Sequence, residues 1–252
     1  VVLHKWNVTS IPSQDTPRFK CDGDARFFFE LERKAILARY ADAPPGLAYN
    51  IQARDGGILI AQRTIAVPLR QSILDDSLHS DATVVGLVRF RFENRGPGTA
   101  TAELPAAYSQ RSGRSENAYA GDSQDDWLVP RSERESLFVE GRQLRSRWRG
   151  AAVVRAGWES TMRAEVRARQ VIFRQALQPG QHCELLLKVP QVALDRPEEW
   201  AALERLRFEP SDREVTAFWR RETEQGAQLL CPEPHLTALH AAHLAHVQIT
   251  DP

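Results

Sequence analysis

At 252 residues, the chain has the length of one large domain or of one domain with an appendage. Its 33 basic and 33 acidic residues give a formal net charge of zero, which provides no overall attraction to nucleic acid or to an anionic membrane surface. No run of about 18 apolar residues is present, so the sequence indicates no membrane-spanning helix.

The first part of the chain carries the signals of β-structure. Two apolar-rich runs, RFFFELERKAILARYAD and GILIAQRTIAVPLRQ, are separated by the turn sequences APPG and RDGG. In the next run, Val88, Phe90 and Phe92 alternate with Arg89 and Arg91, so one face of the predicted strand is apolar and the other is charged. This alternation predicts the strands of a large antiparallel sandwich.

Residues 109–126, SQRSGRSENAYAGDSQDD, have almost no apolar content and are predicted to form a long exposed loop. Aromatic faces pack on the C–H surfaces of sugars, and carboxylates accept hydrogen bonds from sugar hydroxyls. The candidate carbohydrate-binding residues are therefore Tyr119, Asp125, Asp126 and Trp127. The alternative is a solvated loop whose end is anchored by the tryptophan.

More strands follow this loop. The run SLFVEGRQLRSRWRG predicts a hairpin that turns at Glu140 and Gly141, and residues 162–169 alternate apolar with charged side chains. A turn at Pro179 and Gly180 leads into a last predicted strand over 183–189.

Arginine alternates with aromatic residues in RSRWRG and RARQVIFR, as it does in nucleic-acid binders. The same pattern is expected for a solvated outer sheet face, and the zero net charge favours that interpretation. Trp148 and Trp158 are candidates for flat sugar-binding platforms, but we expect both to pack between the sheets.

After Pro190 the apolar period changes from two to 3.6, which predicts helices. In the first helix, Asp195 is the expected N-cap, Pro197 lies in the first turn, and Trp200, Leu203 and Leu206 share one face.

A second helix is predicted to begin with the capping box formed by Ser211 and Glu214 and to end at Gly226. Its apolar stripe contains Val215, Phe218 and Trp219.

A third helix is predicted from His235, with an apolar face that begins at Leu236. His240, His243 and His246 follow at i, i+3 and i+6, so the third has turned away from the first and we expect no metal site.

The order of strands, linker and helices resembles the join between the β-sandwich and the helical barrel of six-hairpin glycosidases and related sugar phosphorylases. The segments that carry this resemblance are LQPGQHCELLLKVPQVAL and FWRRETEQGAQLLCPEPHLTALHAAHL, within residues 177–252. The matching positions are Leu177, Pro179, Gly180, Pro190, Trp219, Gly226, Pro232, Glu233, Pro234 and Leu236. The resemblance implies a β-sandwich over 1–192, followed over 193–252 by linker helices and the first helix of an (α/α)6 barrel.

Because these positions are mostly turns, stops and a packing tryptophan, the resemblance implies an architecture and not a substrate. It implies a non-catalytic β-sandwich module of a larger glycoside-hydrolase-like enzyme, which packs against and supports the barrel. In such enzymes the acid and base carboxylates lie on barrel loops, so no catalytic residue is expected in this chain. The alternative is an autonomous carbohydrate-binding or adhesion module.

The expected partners are the remainder of the barrel, an oligosaccharide and, through the C-terminal helices, a second copy of the chain. Only 4 of the 33 basic residues are lysine, which indicates a GC-rich coding sequence. We expect a bacterial protein with either a cytoplasmic or a secreted, periplasmic location. Cys21, Cys183 and Cys231 lack C-x-x-C spacing and are expected to be isolated thiols, although one disulfide stays open. No motif indicates a cofactor or a metal.

Overall fold

The computed structural model describes most of the chain between residues 49 and 225, together with shorter stretches on either side. The described residues are 5–6, 24–29, 35–40, 49–75, 82–111, 136–148, 151–167, 170–190, 193–225, 232–233, 236–237 and 240. Within these ranges the chain is mainly β, with two antiparallel sheets followed by two helices. The predicted fold class is therefore confirmed.

The described elements have the following bounds in chain order. The strands are β1 (Lys5–Trp6), β2 (Asp24–Phe29), β3 (Ala35–Tyr40), β4 (Tyr49–Asp55), β5 (Ile58–Pro68), β6 (Val84–Asn94), β7 (Ala100–Arg111), β8 (Ser136–Glu140), β9 (Gln143–Trp148), β10 (Ala151–Ser160), β11 (Arg163–Arg167), β12 (Gln170–Leu177) and β13 (His182–Pro190). The helices are α1 (Pro197–Arg205) and α2 (Phe208–Glu224).

The larger sheet has the strand order β3-β4-β5-β6-β13-β10-β9-β8, and the smaller sheet has the order β1-β2-β7-β12-β11. The predicted turns lie where the sequence places them. Gly141 joins β8 to β9 with φ of +58°, and Gly180 precedes β13 with φ of +76°. Glycine is the residue that adopts this left-handed conformation without a steric penalty.

The main core lies between the two sheets. The alternation predicted for β6 is confirmed, because Val88, Phe90 and Phe92 are fully buried on the inner face. Opposite them, the smaller sheet contributes Leu104 from β7 and Phe173 from β12. The two inner faces therefore form one continuous apolar layer, as in other β-sandwiches.

A second apolar cluster lies on the outer face of the larger sheet, under the two helices. The strands contribute Ile65, Val67, Val85, Leu87, Val154 and Leu186, and the helices contribute Ala202, Leu203, Phe208, Val215 and Trp219. Trp200 and Phe218 pack against the cluster while partly exposed. Leu194, just before α1, exchanges two backbone hydrogen bonds with Val154 of β10, at 2.8 and 3.0 Å. The linker is thus attached to the sheet before its first helix begins.

The predicted helix starts are wrong in detail. At α1 the N-cap is Arg196, not Asp195, and it makes no side-chain capping bond. Pro197 is the first helical residue and restrains its predecessor to extended backbone, with φ of −114° and ψ of 136° at Arg196.

The predicted capping box of α2 is also wrong as a helix start. The helix begins at Phe208, and the Ser211 amide already bonds the carbonyl of Arg207 at 3.3 Å. The helix begins earlier in the chain than predicted because Phe208 is buried against the sheet, and this tertiary packing outweighs a local capping preference.

Beyond α2, the described positions Leu236, Thr237 and His240 are helical. The amides of Leu236 and Thr237 bond the carbonyl of Glu233, and Leu236 is 49% exposed. The rest of the predicted third helix, with His243 and His246, and the expected helix end at Gly226 lie outside the described residues. None of the described helices is long and apolar enough to cross a membrane.

Candidate functional site

The four predicted carbohydrate-binding residues, Tyr119, Asp125, Asp126 and Trp127, lie outside the described residues, and their assignment stays a prediction. The described ends of this segment belong to different sheets. The predicted loop start at residue 109 is wrong, because β7 pairs with β2 as far as Arg111 in the smaller sheet, and β8 begins at the edge of the larger one. The chain therefore passes from one sheet to the other between them.

Trp158 belongs to the core and is not a sugar platform. It is 6% exposed, and its ring meets that of Phe173 edge to face, with 5.4 Å between the centroids. Packing between the sheets is therefore confirmed for Trp158. The side chain of Trp148 lies outside what the structure describes.

The outer face of the smaller sheet carries solvated charges, as predicted for RARQVIFR. Arg167 and Glu165 form a pair at 3.0 Å in which both side chains are exposed. In RSRWRG on the larger sheet, Arg147 is exposed as predicted, but the prediction fails for Arg145. There the guanidinium of Arg145 lies 4.6 Å from the Trp200 ring centroid and pairs with Glu140 at 2.8 Å. Helix α1 covers this part of the sheet, so Arg145 is only 17% exposed.

Five polar side chains, one from each of five neighbouring strands, cross the outer face of the larger sheet. We call this set the polar row, and its members are Arg63, Arg89, Lys188, Glu159 and Gln143 of β5, β6, β13, β10 and β9. In the strand register, Arg63 pairs with Arg89, and Leu186 connects Arg89 to Glu159. Lys188 and Gln143 lie on the next register line, where both pair with Gly157. Each member contacts the helix pair or the residues that join it.

Two arginines of the polar row bind α2. The Nε and Nη2 atoms of Arg63 donate to Asp212 Oδ1 at 3.0 and 2.7 Å, and both side chains are at most a quarter exposed. Arg89 Nη1 donates to Glu209 Oε1 at 2.8 Å, and its guanidinium lies 4.1 Å from the Phe208 ring centroid. Charge-assisted bonds of this kind are stronger than neutral ones and restrict orientation.

The remaining members of the row bind the end of α1. Gln143 Nε2 donates to Glu204 Oε1 at 3.0 Å. Lys188 Nζ donates to Glu159 Oε1 at 2.5 Å and to the carbonyl of Glu204 at 3.0 Å. The Lys188 side chain is 3% exposed, and this burial lowers the pKa of its ammonium group, while the bond to Glu159 offsets part of the effect.

The apolar cluster beneath the helices supplies most of the attachment. Leu203 is 1% exposed, Phe208 3% and Trp219 9%. Burying a large apolar side chain contributes roughly 1.5–3 kcal/mol, so these three anchors outweigh the polar row in free energy. The row instead provides directional contacts at the margin of the cluster.

An open groove of about 440 Å³ lies beside α1. Its lining residues are Leu69, Arg70, Glu198, Ala202, Arg205 and Leu206. Arg70 and Glu198 are 3.7 Å apart with about half of each side chain exposed, so solvent screens this pair. The groove has the character of a solvent-filled helix edge and not of an enclosed ligand cavity.

Four described acids take part in the contacts between the helices and the larger sheet. Glu159, Glu209 and Asp212 each pair with a cation from the sheet or from the helix junction, and Glu204 accepts from an amide. Among the described residues, no three His, Cys, Asp or Glu side chains form a group that could hold a metal ion.

Sequence reasoning missed the polar row. Its clearest signal was Lys188, a rare lysine inside the apolar run ELLLKVP. A charged residue on a strand of this kind has to find a partner when the face is covered. Naming that partner requires the register of strands far apart in sequence.

In comparisons with known proteins, no protein-family model matched the chain and no curated protein matched it either.

Proposed function

We propose that this chain is a non-catalytic β-sandwich module with linker helices, and that it packs against and supports an (α/α)6 catalytic barrel in a larger glycoside-hydrolase-like protein. The observation that carries the proposal is the pair α1 and α2, fixed to the outer face of the larger sheet by apolar anchors and by the polar row. Because both helices are held against the sheet, another helical domain can pack against their outward faces.

The roles of the motif positions support the proposal. Leu177 is 1% exposed at the end of β12, Gly180 adopts a positive φ in the turn, and Pro190 ends β13. Trp219 is buried between α2 and the sheet. These are the turn, stop and packing roles that the resemblance to the six-hairpin glycosidases implies.

The partner barrel would contact the outward face of α2. Arg213, Ala217, Arg220 and Glu224 are exposed along this helix, at spacings that place them away from the buried Val215 and Trp219. An interface between domains of one protein is commonly more polar than a core, so this charged face is suited to it.

The test uses the proposed larger protein that contains this chain, called the parent. Three purified samples are compared for turnover of aryl glycosides, with and without inorganic phosphate: the parent, the parent lacking residues 1–225, and the present chain. We expect activity in the parent, no turnover by the chain, and lower stability or solubility in the shortened protein.

Either of two outcomes would overturn the proposal. The first is glycoside turnover by the homogeneous chain that disappears when one of its own acids is replaced. The second is a continuation of the coding sequence that does not encode helical hairpins.

A further inference from the structure

The junction between α1 and α2 lacks a glycine helix stop. Helix α1 ends at Arg205, and its C-cap residue is Leu206, with φ of −57° and ψ of 136°. A glycine in the left-handed conformation commonly ends a helix and satisfies its last carbonyls, but neither Leu206 nor Arg207 is a glycine. The carbonyl groups at this junction therefore need other donors.

Two cations supply them. The carbonyl of Glu204 accepts from Lys188 Nζ at 3.0 Å and from Arg207 Nη1 at 2.5 Å. The carbonyl of Leu206 accepts from the same Arg207 nitrogen at 3.0 Å. Positive groups at a helix C-terminus also interact favourably with its partial negative charge.

One carboxylate holds both cations together. Glu159 Oε1 of β10 accepts from Lys188 Nζ at 2.5 Å and from Arg207 Nη1 at 2.7 Å. We call these three side chains, Lys188, Glu159 and Arg207, the clasp. It joins two adjacent strands of the sheet to the carbonyls of Glu204 and Leu206 at the end of α1, and it includes Arg207, the residue before α2.

We propose that the clasp is a conformational lock that fixes the angle between α1 and α2, whereas the apolar cluster supplies their attachment to the sheet. The clasp should contribute little net stability, because removing the buried Lys188 ammonium from water offsets its attraction to Glu159, and solvent screens the more exposed Arg207. The clasp instead restricts the angle of the bend between α1 and α2, because few angles keep every donor of the clasp hydrogen-bonded. Loss of the clasp should leave the helices attached and their junction mobile.

The experiment is hydrogen exchange, read by mass spectrometry, on the wild-type chain and the double variant Lys188→Met, Glu159→Gln. This variant removes the buried ammonium group and the carboxylate that accepts its hydrogen bond. We expect amides at 204–209 to exchange at least roughly tenfold faster than in wild type. Amides of β5, β6 and Val215–Trp219 should keep their rates, and the midpoint of urea unfolding should stay near that of wild type.

The variant Arg207→Gln removes only the exposed cation of the clasp. It tests the same proposal if the double variant does not fold. It should accelerate exchange at 204–209 by a smaller factor. Arg63→Gln is the matched control, because it breaks another polar contact of the same face and should leave 204–209 unchanged.

Unchanged rates at 204–209 in the clasp variants would overturn the proposal. Equal acceleration over the whole of 193–225 would also overturn it, because the clasp would then attach the helices and not fix their angle. The clasp would act in the same way in any protein that contains this chain, so this result does not depend on the proposed function.

Discussion

Replacing Leu203 by alanine should loosen α1 from the larger sheet at a cost of about 3 kcal/mol in the free energy of unfolding. Leu203 is 1% exposed and projects onto Gly157 of β10. The substitution removes three carbon atoms, worth roughly 0.8 kcal/mol each in transfer from water, and leaves a cavity. Because the site lies between a helix and a sheet, partial collapse should keep the total in the lower half of the usual range of about 2–5 kcal/mol.

Urea unfolding followed by circular dichroism measures this loss. The control is Leu74→Ala, which truncates an equal side chain that is 36% exposed and should stay within about 0.5 kcal/mol of wild type. A third variant, Gly157→Ala, places a Cβ atom 3.3 Å from Leu203 Cδ2. It should be less harmful when Leu203 is already alanine, because the added methyl group then enters the cavity.

A loss in the free energy of unfolding that is no larger for Leu203→Ala than for Leu74→Ala would contradict this prediction. Helix α1 would then lie on the sheet without being packed against it.

Three further predictions concern other parts of the chain. A double-mutant cycle on Arg63 and Asp212 should give a coupling energy of about 1 kcal/mol that persists in high salt, because the pair is only partly accessible to ions. Burial raises the pKa of the Cys183 thiol to about 11, so this thiol should resist labelling in the native protein at about pH 8. If the segment that follows β7 binds a glycan through Trp127, Trp127→Ala should abolish the binding seen by calorimetry.

Each of these has a contradicting result. A coupling energy near zero would show that Arg63 and Asp212 do not interact in solution. Because the pKa of Cys183 is raised from 9.0 to about 11 in the folded protein, the unfolded chain loses this proton first as pH rises. The contribution of the neutral thiol to the free energy of unfolding is therefore fully present below pH 9.0 and is lost as pH rises to about 11. Wild type should then lose up to about 3 kcal/mol relative to Cys183→Ala across this window, and a flat difference would contradict the assignment. For the segment that follows β7, equal glycan binding by wild type and Trp127→Ala would remove Trp127 from the site.

The strands could be predicted because side chains that face the core are apolar and those that face solvent are polar, which gives an alternating pattern along the sequence. The inner face of β6 repeats an apolar residue at every second position, and the turns at Gly141 and Gly180 carry a glycine where a positive φ is needed. The helices were predictable for the same reason, since Leu203 and Trp219 lie on periodic apolar stripes.

The helix starts and the polar row were not predictable in the same way. Whether Asp195 or Arg196 caps α1 depends on the backbone before Pro197, and the start of α2 depends on how Phe208 meets the sheet. The partner of Lys188 is set by the pairing of β13 with β10, which brings Glu159 from 29 residues away. Local sequence carries no record of such pairings.

The most direct test of the central claim is the labelling rate of a cysteine placed on the outward face of α2. The variant Ala217→Cys is made in the present chain and in the parent protein, and its alkylation is followed by mass spectrometry of the labelled peptide. Ala176→Cys, on the exposed face of β12, is the control and should label equally in both. If α2 supports the barrel, residue 217 should label rapidly in the chain and at least roughly tenfold more slowly in the parent. Equal rates at residue 217 in the two proteins would contradict the account.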